Sequence, residues 1–176
     1  MRPILGIVIA AAVGLGTLPG CSFSTVTQAA VPPSAQAASP SAASSAIPTA
    51  TVVVGNADPV VAEIATSPAD QSTGLMGRAE VPSGTGMIFP YAEPVRRPFW
   101  MGNVEVPLSI VWSRGEEVVG VAEMQPCPEA DGRCARYLPD DPDATFDLVV
   151  ETTGGAFTSA GVQVGDAVTV TGLTQP

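Results

Sequence analysis

The sequence predicts a mainly β domain: a compact sandwich, jelly-roll-like or barrel-like body of six to eight strands with one or two short helices. Three observations predict it. Short β-branched or alternating apolar segments recur between residues 51 and 171. Turns rich in glycine and proline, 18 of each in the chain, separate those segments at close intervals. A helix start is written clearly at Ser67-Pro68-Ala69-Asp70, with a capping hydroxyl, a proline at the first helical position and a carboxylate two residues beyond it.

Taken in order, the chain opens with Arg2 and an apolar run over residues 4–15. That run has the length of a signal-peptide core and is too short to cross a bilayer, which predicts a signal peptide over residues 1–20. Leu18-Pro19-Gly20-Cys21 resembles a bacterial lipobox, with Pro19 in place of the usual small residue, and predicts lipidation of Cys21. An ordinary secretory signal with an incidental cysteine is the alternative. Two or more acyl chains hold a protein stably where one does not, so the expected location is extracytoplasmic, anchored by Cys21 to the outer face of the cell membrane. Residues 22–50 are rich in Ser, Ala, Pro, Thr and Gln and carry no charge. Such composition predicts a disordered linker over residues 21–50, which leaves 51–176 as a single β domain.

Within the domain, residues 51–54 and 60–66 read as strands, with Val60, Ala62 and Ile64 on one face. The helix begun at Ser67 should end near Gly74 or Gly77, and Gly84 and Gly86 mark a turn before the buried strand Met87-Ile88-Phe89. Residues 98–112 hold both tryptophans and read as strand, polar turn, strand. This predicts a hairpin with Trp100 and Trp112 at the centre of the core. Leu108, Ile110 and Trp112 alternate with Ser109, Val111 and Ser113, the two-residue period of a sheet. Residues 117–125 form the next strand, with Val118, Ala122 and Met124 on one side and Glu117, Glu123 and Gln125 on the other. A loop over 126–144, a strand from Phe146, a helical turn around Phe157 and a closing strand over 167–171 complete the domain.

Composition closes several routes. The seven basic residues are all arginine, and there is no histidine. Ser-His-Asp triads, lysine Schiff bases and histidine-rich zinc sites are therefore excluded, and no cofactor is expected. A net charge of -10 argues against nucleic acid and against anionic lipid surfaces as partners. The domain is expected to be a monomer.

Four groups of residues could carry chemistry. Cys127 and Cys134 form either a disulfide closing a short loop or, at a spacing unlike Cys-x-x-Cys, a redox-active pair. Asp140, Asp141 and Asp143 make an acidic loop that could instead hold a cation, although Pro139 and Pro142 stiffen it and no calcium-loop spacing is present. Glu105, Glu123 and Glu151 could supply a glycosidase carboxylate pair, or lie on the wet face of the sheet. Asn103 suits a left-handed turn after Gly102, or could face a pocket beside Trp100 and give a small polar ligand a directional hydrogen bond. Arg96 and Arg97 are either a fork for an anion or ordinary surface arginines.

Gly74-Leu75-Met76-Gly77-Arg78, Gly86-Met87-Ile88-Phe89, Phe99-Trp100-Met101-Gly102-Asn103, Pro107-Leu108-Ser109-Ile110, Tyr137 and Gly165-Asp166 appear in that order. Together they resemble domain-of-unknown-function family 192, also called uncharacterised protein family 0127, over residues 60–170. The family usually reads Phe-Trp-Met-Lys-Asn-Thr and commonly Pro-Leu-Asp, where this chain has Gly102, Val104 and Ser109. The resemblance implies a compact β fold with short helices and a paired-cysteine loop before Tyr137, and it implies no activity. The expectation is a non-enzymatic module binding a small polar ligand or envelope component, with Trp100, Asn103 and Tyr137 facing the ligand. A carboxylate-dependent hydrolase of envelope carbohydrate and a structural partner of envelope proteins are the alternatives.

Overall fold

A computed structural model describes residues 47–128 and 133–172. The expected signal peptide, Cys21 and most of the linker lie outside the described residues. Strand β1 (Thr49–Val54) begins two residues before the expected domain start. Ala50 is already buried in the core.

The remaining elements are β2 (Val60–Ile64), α1 (Pro68–Thr73), β3 (Thr85–Val95), β4 (Phe99–Trp100), β5 (Leu108–Arg114), β6 (Glu117–Met124), β7 (Arg136–Tyr137), β8 (Phe146–Thr153), α2 (Ala156–Ser159) and β9 (Val168–Thr171). Seven strands form one sheet in the order β6-β5-β8-β3-β2-β1-β9, while β4 and β7 pair separately. All neighbours in the large sheet are antiparallel except β2 and β3, which run parallel. A parallel pair needs a crossover, and the segment carrying α1 supplies it. A capping box fixes where that helix starts. Ser67 Oγ accepts from the Asp70 N–H at 3.1 Å, and the Asp70 carboxylate accepts from the Ser67 N–H at 3.3 Å.

The sheet curls into a half-barrel until its edges meet. The Val118 N–H donates to the Asp166 carbonyl (2.9 Å), the Val168 N–H to Glu116 (2.8 Å) and the Gly165 N–H to Val118 (2.9 Å). One end of each edge strand is thereby tied, which shortens the open sheet edges. The mainly β, barrel-like architecture with short helices is the one the sequence predicts.

Two cores result. The inside of the curl holds Val52, Val54, Ile64, Ile88, Val150 and Phe157. The outer face of β3, β5 and β8 carries Phe89, Ile110, Trp112, Phe146 and Val149, covered by Leu75, Met101 and Val104. This second core corrects two sequence expectations. The hairpin over 98–112 does not form, because β5 already has β6 and β8 on its two edges, so Phe99–Trp100 pairs with Arg136–Tyr137. Residues 96–107 instead lie over the outer face as a strap. Trp112 is fully buried in this core, whereas Trp100 is only half-buried.

The alternation along β5 also misleads, since Ser109 and Ser113 are as buried as their apolar neighbours. In β6 the register shifts: Trp112 faces Gly120 and Ser113 faces Val118, so Val119 bulges out of the ladder. The bulge sends Val118 into the inner core and Met124 into the outer one. A strict two-residue period had put them on one side.

No helix among the described residues is long and apolar enough to cross a membrane. A disulfide joins Cys127 to Cys134, as one reading of the spacing had it. Both features are compatible with an extracytoplasmic location.

Gly86 marks the tightest strand contact, because a Cβ there would drive into the Glu151 backbone carbonyl of β8 and against Val60. Gly86→Ala should destabilise the domain by roughly 3 kcal/mol or more and lower Tm by roughly 10 °C or more in a thermal melt. An unchanged melt would show that β3 and β8 can move apart.

Candidate functional site

The strap is fixed first by Phe99. Its ring meets Phe89 edge-on at 5.4 Å between centroids, Trp112 at 6.4 Å and Phe146 at 6.2 Å. The strap also accepts a backbone hydrogen bond, from the Cys127 N–H to the Val104 carbonyl at 2.9 Å, just where the disulfide loop begins. Between strap, sheet and α1 remains a cavity of about 210 Å³.

Trp100 lines that cavity. The Gly102 backbone lies against its six-membered ring, since a Cβ at Gly102 would stand 2.5 to 2.9 Å from three of its atoms. The Arg136 guanidinium packs 4.8 Å from the indole centroid. With both against it, the indole is held as a rigid wall.

Glu151 supplies the acidic group of the cavity. Its register partners on the outer face of the sheet are Met87 on β3 and Ile110 on β5. It is 6% exposed, lines the cavity and makes no hydrogen bond among the described residues. Burial pushes its carboxyl from 4.5 up to about 8, so the group is neutral at pH 7. This corrects the wet-face expectation: the strap and α1 cover the face on which Glu151 stands.

Tyr91 of β3 and the exposed Arg97 join it in the wall. Burial raises the Tyr91 phenol, the charge of Arg97 and its hydrogen bond to the phenol oppose that rise, and Glu151 adds to it. The Arg97 guanidinium sits 5.7 Å from the centre of the Tyr91 ring.

Other sequence candidates fall elsewhere. Asn103 takes the left-handed conformation (φ 59°), is exposed, and offers its carbonyl to the Gly77 N–H at 2.9 Å. Neither it nor Tyr137 lines the cavity. The Tyr137 hydroxyl accepts from the Gln125 N–H at 3.0 Å and so braces β7. Among the described residues no three acidic, cysteine or histidine side chains converge as metal ligands. Asp141 instead accepts from the Asp143 N–H at 2.9 Å, a local turn within the acidic loop that includes Asp140. Arg96 donates to the Asp141 and Ala144 carbonyls and latches that same loop.

Glu105 is exposed. Glu123 accepts from Ser109 Oγ (2.5 Å), the Gly155 N–H (2.8 Å) and Thr158 Oγ1 (3.0 Å). Its strand neighbour Ala122 shares the Ile110 pair, so Glu123 and Glu151 face opposite sides of the sheet. No carboxylate pair forms between them. Sequence reasoning missed Tyr91 altogether and misplaced Glu151. The signal was Val149, an apolar residue in phase with Glu151 on the side read as wet.

The chain belongs to the DUF192 family, described as an uncharacterized ACR, whose model matches residues 50–170. A comparison with curated proteins gives no match. Among solved structures it is similar to a "putative transcription regulator" from Sinorhizobium meliloti 1021. That likeness has TM-score 0.60 and 22% identity, and covers 71% of this chain and 95% of the other. It is also similar to a protein of unknown function from Novosphingobium aromaticivorans DSM 12444, at TM-score 0.56 and 29% identity, covering 69% and 83%.

The buried carboxyl has a signature in stability. Folded, Glu151 keeps its proton up to about pH 8, where the unfolded chain has lost it above 4.5. Its contribution should therefore fall by an amount on the order of 5 kcal/mol from pH 4.5 to 8 and stay level above. Melts of wild type and Glu151→Gln across this range should diverge, with the glutamine variant relatively more stable at each higher pH. Parallel curves would mean that the carboxyl is ionised and solvated.

Proposed function

We propose that this DUF192 domain is a non-enzymatic binding module. It works outside the cytoplasm on a leash lipidated at Cys21, and takes a small ligand of mixed polarity into the cavity between Trp100 and Glu151. One observation carries the reading: Glu151, a residue more than nine-tenths buried that makes no hydrogen bond among the described residues, stands in a cavity wall. Burying such a group unpaired costs stability, and a hydrophobic side chain of the same volume would serve the core better. Its use is to meet something that enters. A dry cavity of about 150 Å³ accommodates benzene, so a space of this size fits a ligand of about ten non-hydrogen atoms or fewer.

The hydrolase alternative has less support. Glycoside hydrolysis ordinarily takes two carboxyl groups flanking the bond, and Glu151 is the one acid among the described residues of the wall. The regulator wording attached to the Sinorhizobium meliloti structure belongs to that protein, since a 22% likeness carries the fold alone. An acidic chain whose cations are few also lacks the electrostatic footprint for DNA. The uncharged linker and the disulfide support the extracytoplasmic placement.

A fragment screen by protein-observed NMR should give hits that move the Trp100 indole and Met101 methyl resonances. Glu151→Leu should abolish those shifts while raising Tm; hits that bind this variant equally would overturn the site. For the anchor, Cys21→Ala should leave the membrane fraction and lose palmitate labelling. A variant that stays membrane-bound would end the lipoprotein reading.

A further inference from the structure

Three hydrogen-bonding groups of the cavity wall stand in a row. Glu151 on β8, Tyr91 on β3 and Arg97 just after β3 all line it. Tyr91 interacts electrostatically with both of the others. They are graded in depth: Glu151 is buried, Tyr91 half-buried and Arg97 exposed, which puts Glu151 at the deep end and Arg97 at the mouth. Arg97 makes no ion pair among the described residues, and its guanidinium rests over the Tyr91 ring. Beside that row the wall is apolar, from Leu75, Phe99, Met101 and Leu108. The remaining polar groups facing the space, Gln71, Ser72 and Thr73 of α1, do not titrate. Among the described residues the ionisable set of the cavity is thus Glu151, Tyr91 and Arg97.

Resting on the cavity being a ligand site, we infer that its ligand is a small organic acid. The carboxylate pairs with Arg97 at the mouth, an apolar stretch lies along Phe99 and Met101, and a carbonyl or hydroxyl oxygen meets the Glu151 carboxyl. The Arg97 guanidinium touches Tyr91 but meets no carboxylate among the described residues, and a guanidinium can take one in a bidentate fork. Protonated Glu151 and Tyr91 add two donors. With Glu151 neutral, Arg97 gives the wall one positive charge, which an anion cancels. An ammonium ligand would have to ionise Glu151 and lie in the same wall as Arg97, against like-charge repulsion.

The two ligand classes differ in the sign of their pH dependence. Acid binding uses the protonated Glu151 and weakens above about pH 8, by up to about tenfold per pH unit; amine binding uses the ionised form and strengthens. Titration calorimetry on the full chain with levulinate and γ-hydroxybutyrate, the methyl ester of levulinate, and pentylamine separates them. Levulinate or γ-hydroxybutyrate should bind, with the ester at least about tenfold weaker. Arg97→Gln should weaken the acid about tenfold or more and leave the ester unchanged. Glu151→Gln, which still donates, should bind the acid at pH 7 with the pH dependence gone. Pentylamine binding that strengthens with pH and survives Arg97→Gln would overturn the acid assignment while leaving the cavity a ligand site. Failure of both acids while the fragment screen yields only uncharged hits would overturn it too, and an empty screen would remove the underlying reading with it.

Discussion

The docking of one phenylalanine ring decides what this fold can do. Without Phe99 set against Phe89, Trp112 and Phe146, the outer face of β3, β5 and β8 would be a greasy sheet surface open to water. With it, residues 96–107 become a lid of fixed position. An aromatic pair adds about 0.5–1.5 kcal/mol beyond the area it buries, and three such contacts converge on this ring. The packing has a cost as well: the Trp112 indole N–H is buried among rings with no hydrogen-bond partner among the described residues. Apolar contact outweighs that loss, and the strap inherits the rigidity.

Glu151 only makes sense beneath that lid. On an uncovered sheet it would be a solvated strand glutamate with an ordinary pKa. The strap desolvates it, and desolvation is the cause of its upward shift. The same strap brings Trp100 and, from its first residues, Arg97 to the cavity. Covering the sheet and building the site are one event, and the disulfide loop reinforces it. Cys127 bonds to Val104 of the strap, and the chain beyond Cys134 becomes β7, which pairs with β4. The natural consequence is that loosening the loop would disturb the cavity before it disturbed the half-barrel.

The fold was legible where local chemistry decides it. Ser67, Pro68 and Asp70 write a helix start that nothing distant overrides, and Val60, Ala62 and Ile64 face one core, as their spacing says. What could not be read was the second layer. Period-two alternation assumes one wet face, and β5 has none: Ser109 and Ser113 are as buried as Leu108, Ile110 and Trp112. The pairing of β4 with β7 joins residues far apart in sequence and leaves no local mark. Glu151 fell with the same assumption. A glutamate at the end of an alternating strand looks polar by identity, and only coverage by distant residues makes it exceptional.

Of the three departures from the family pattern, Val104 is a buried apolar residue of the cavity wall, and the other two bear on whether the cavity survives in this chain. Gly102 stands where the family usually has lysine, and its missing Cβ is what lets Trp100 lie against the backbone; a side chain there would push the indole away. Ser109 stands where aspartate is common, but its neighbour in register is Glu123, and its hydroxyl donates to that carboxylate on the inner side of the sheet. An aspartate at that position would set two carboxylates against each other beside the Gly155 N–H that Glu123 now serves. Both changes are therefore absorbed by packing and hydrogen bonding away from the row of Glu151, Tyr91 and Arg97. The charges missing from the strap and from β5 were never the polar groups of this cavity, and what remains in its wall is a cation at the mouth and a protonated acid at the floor.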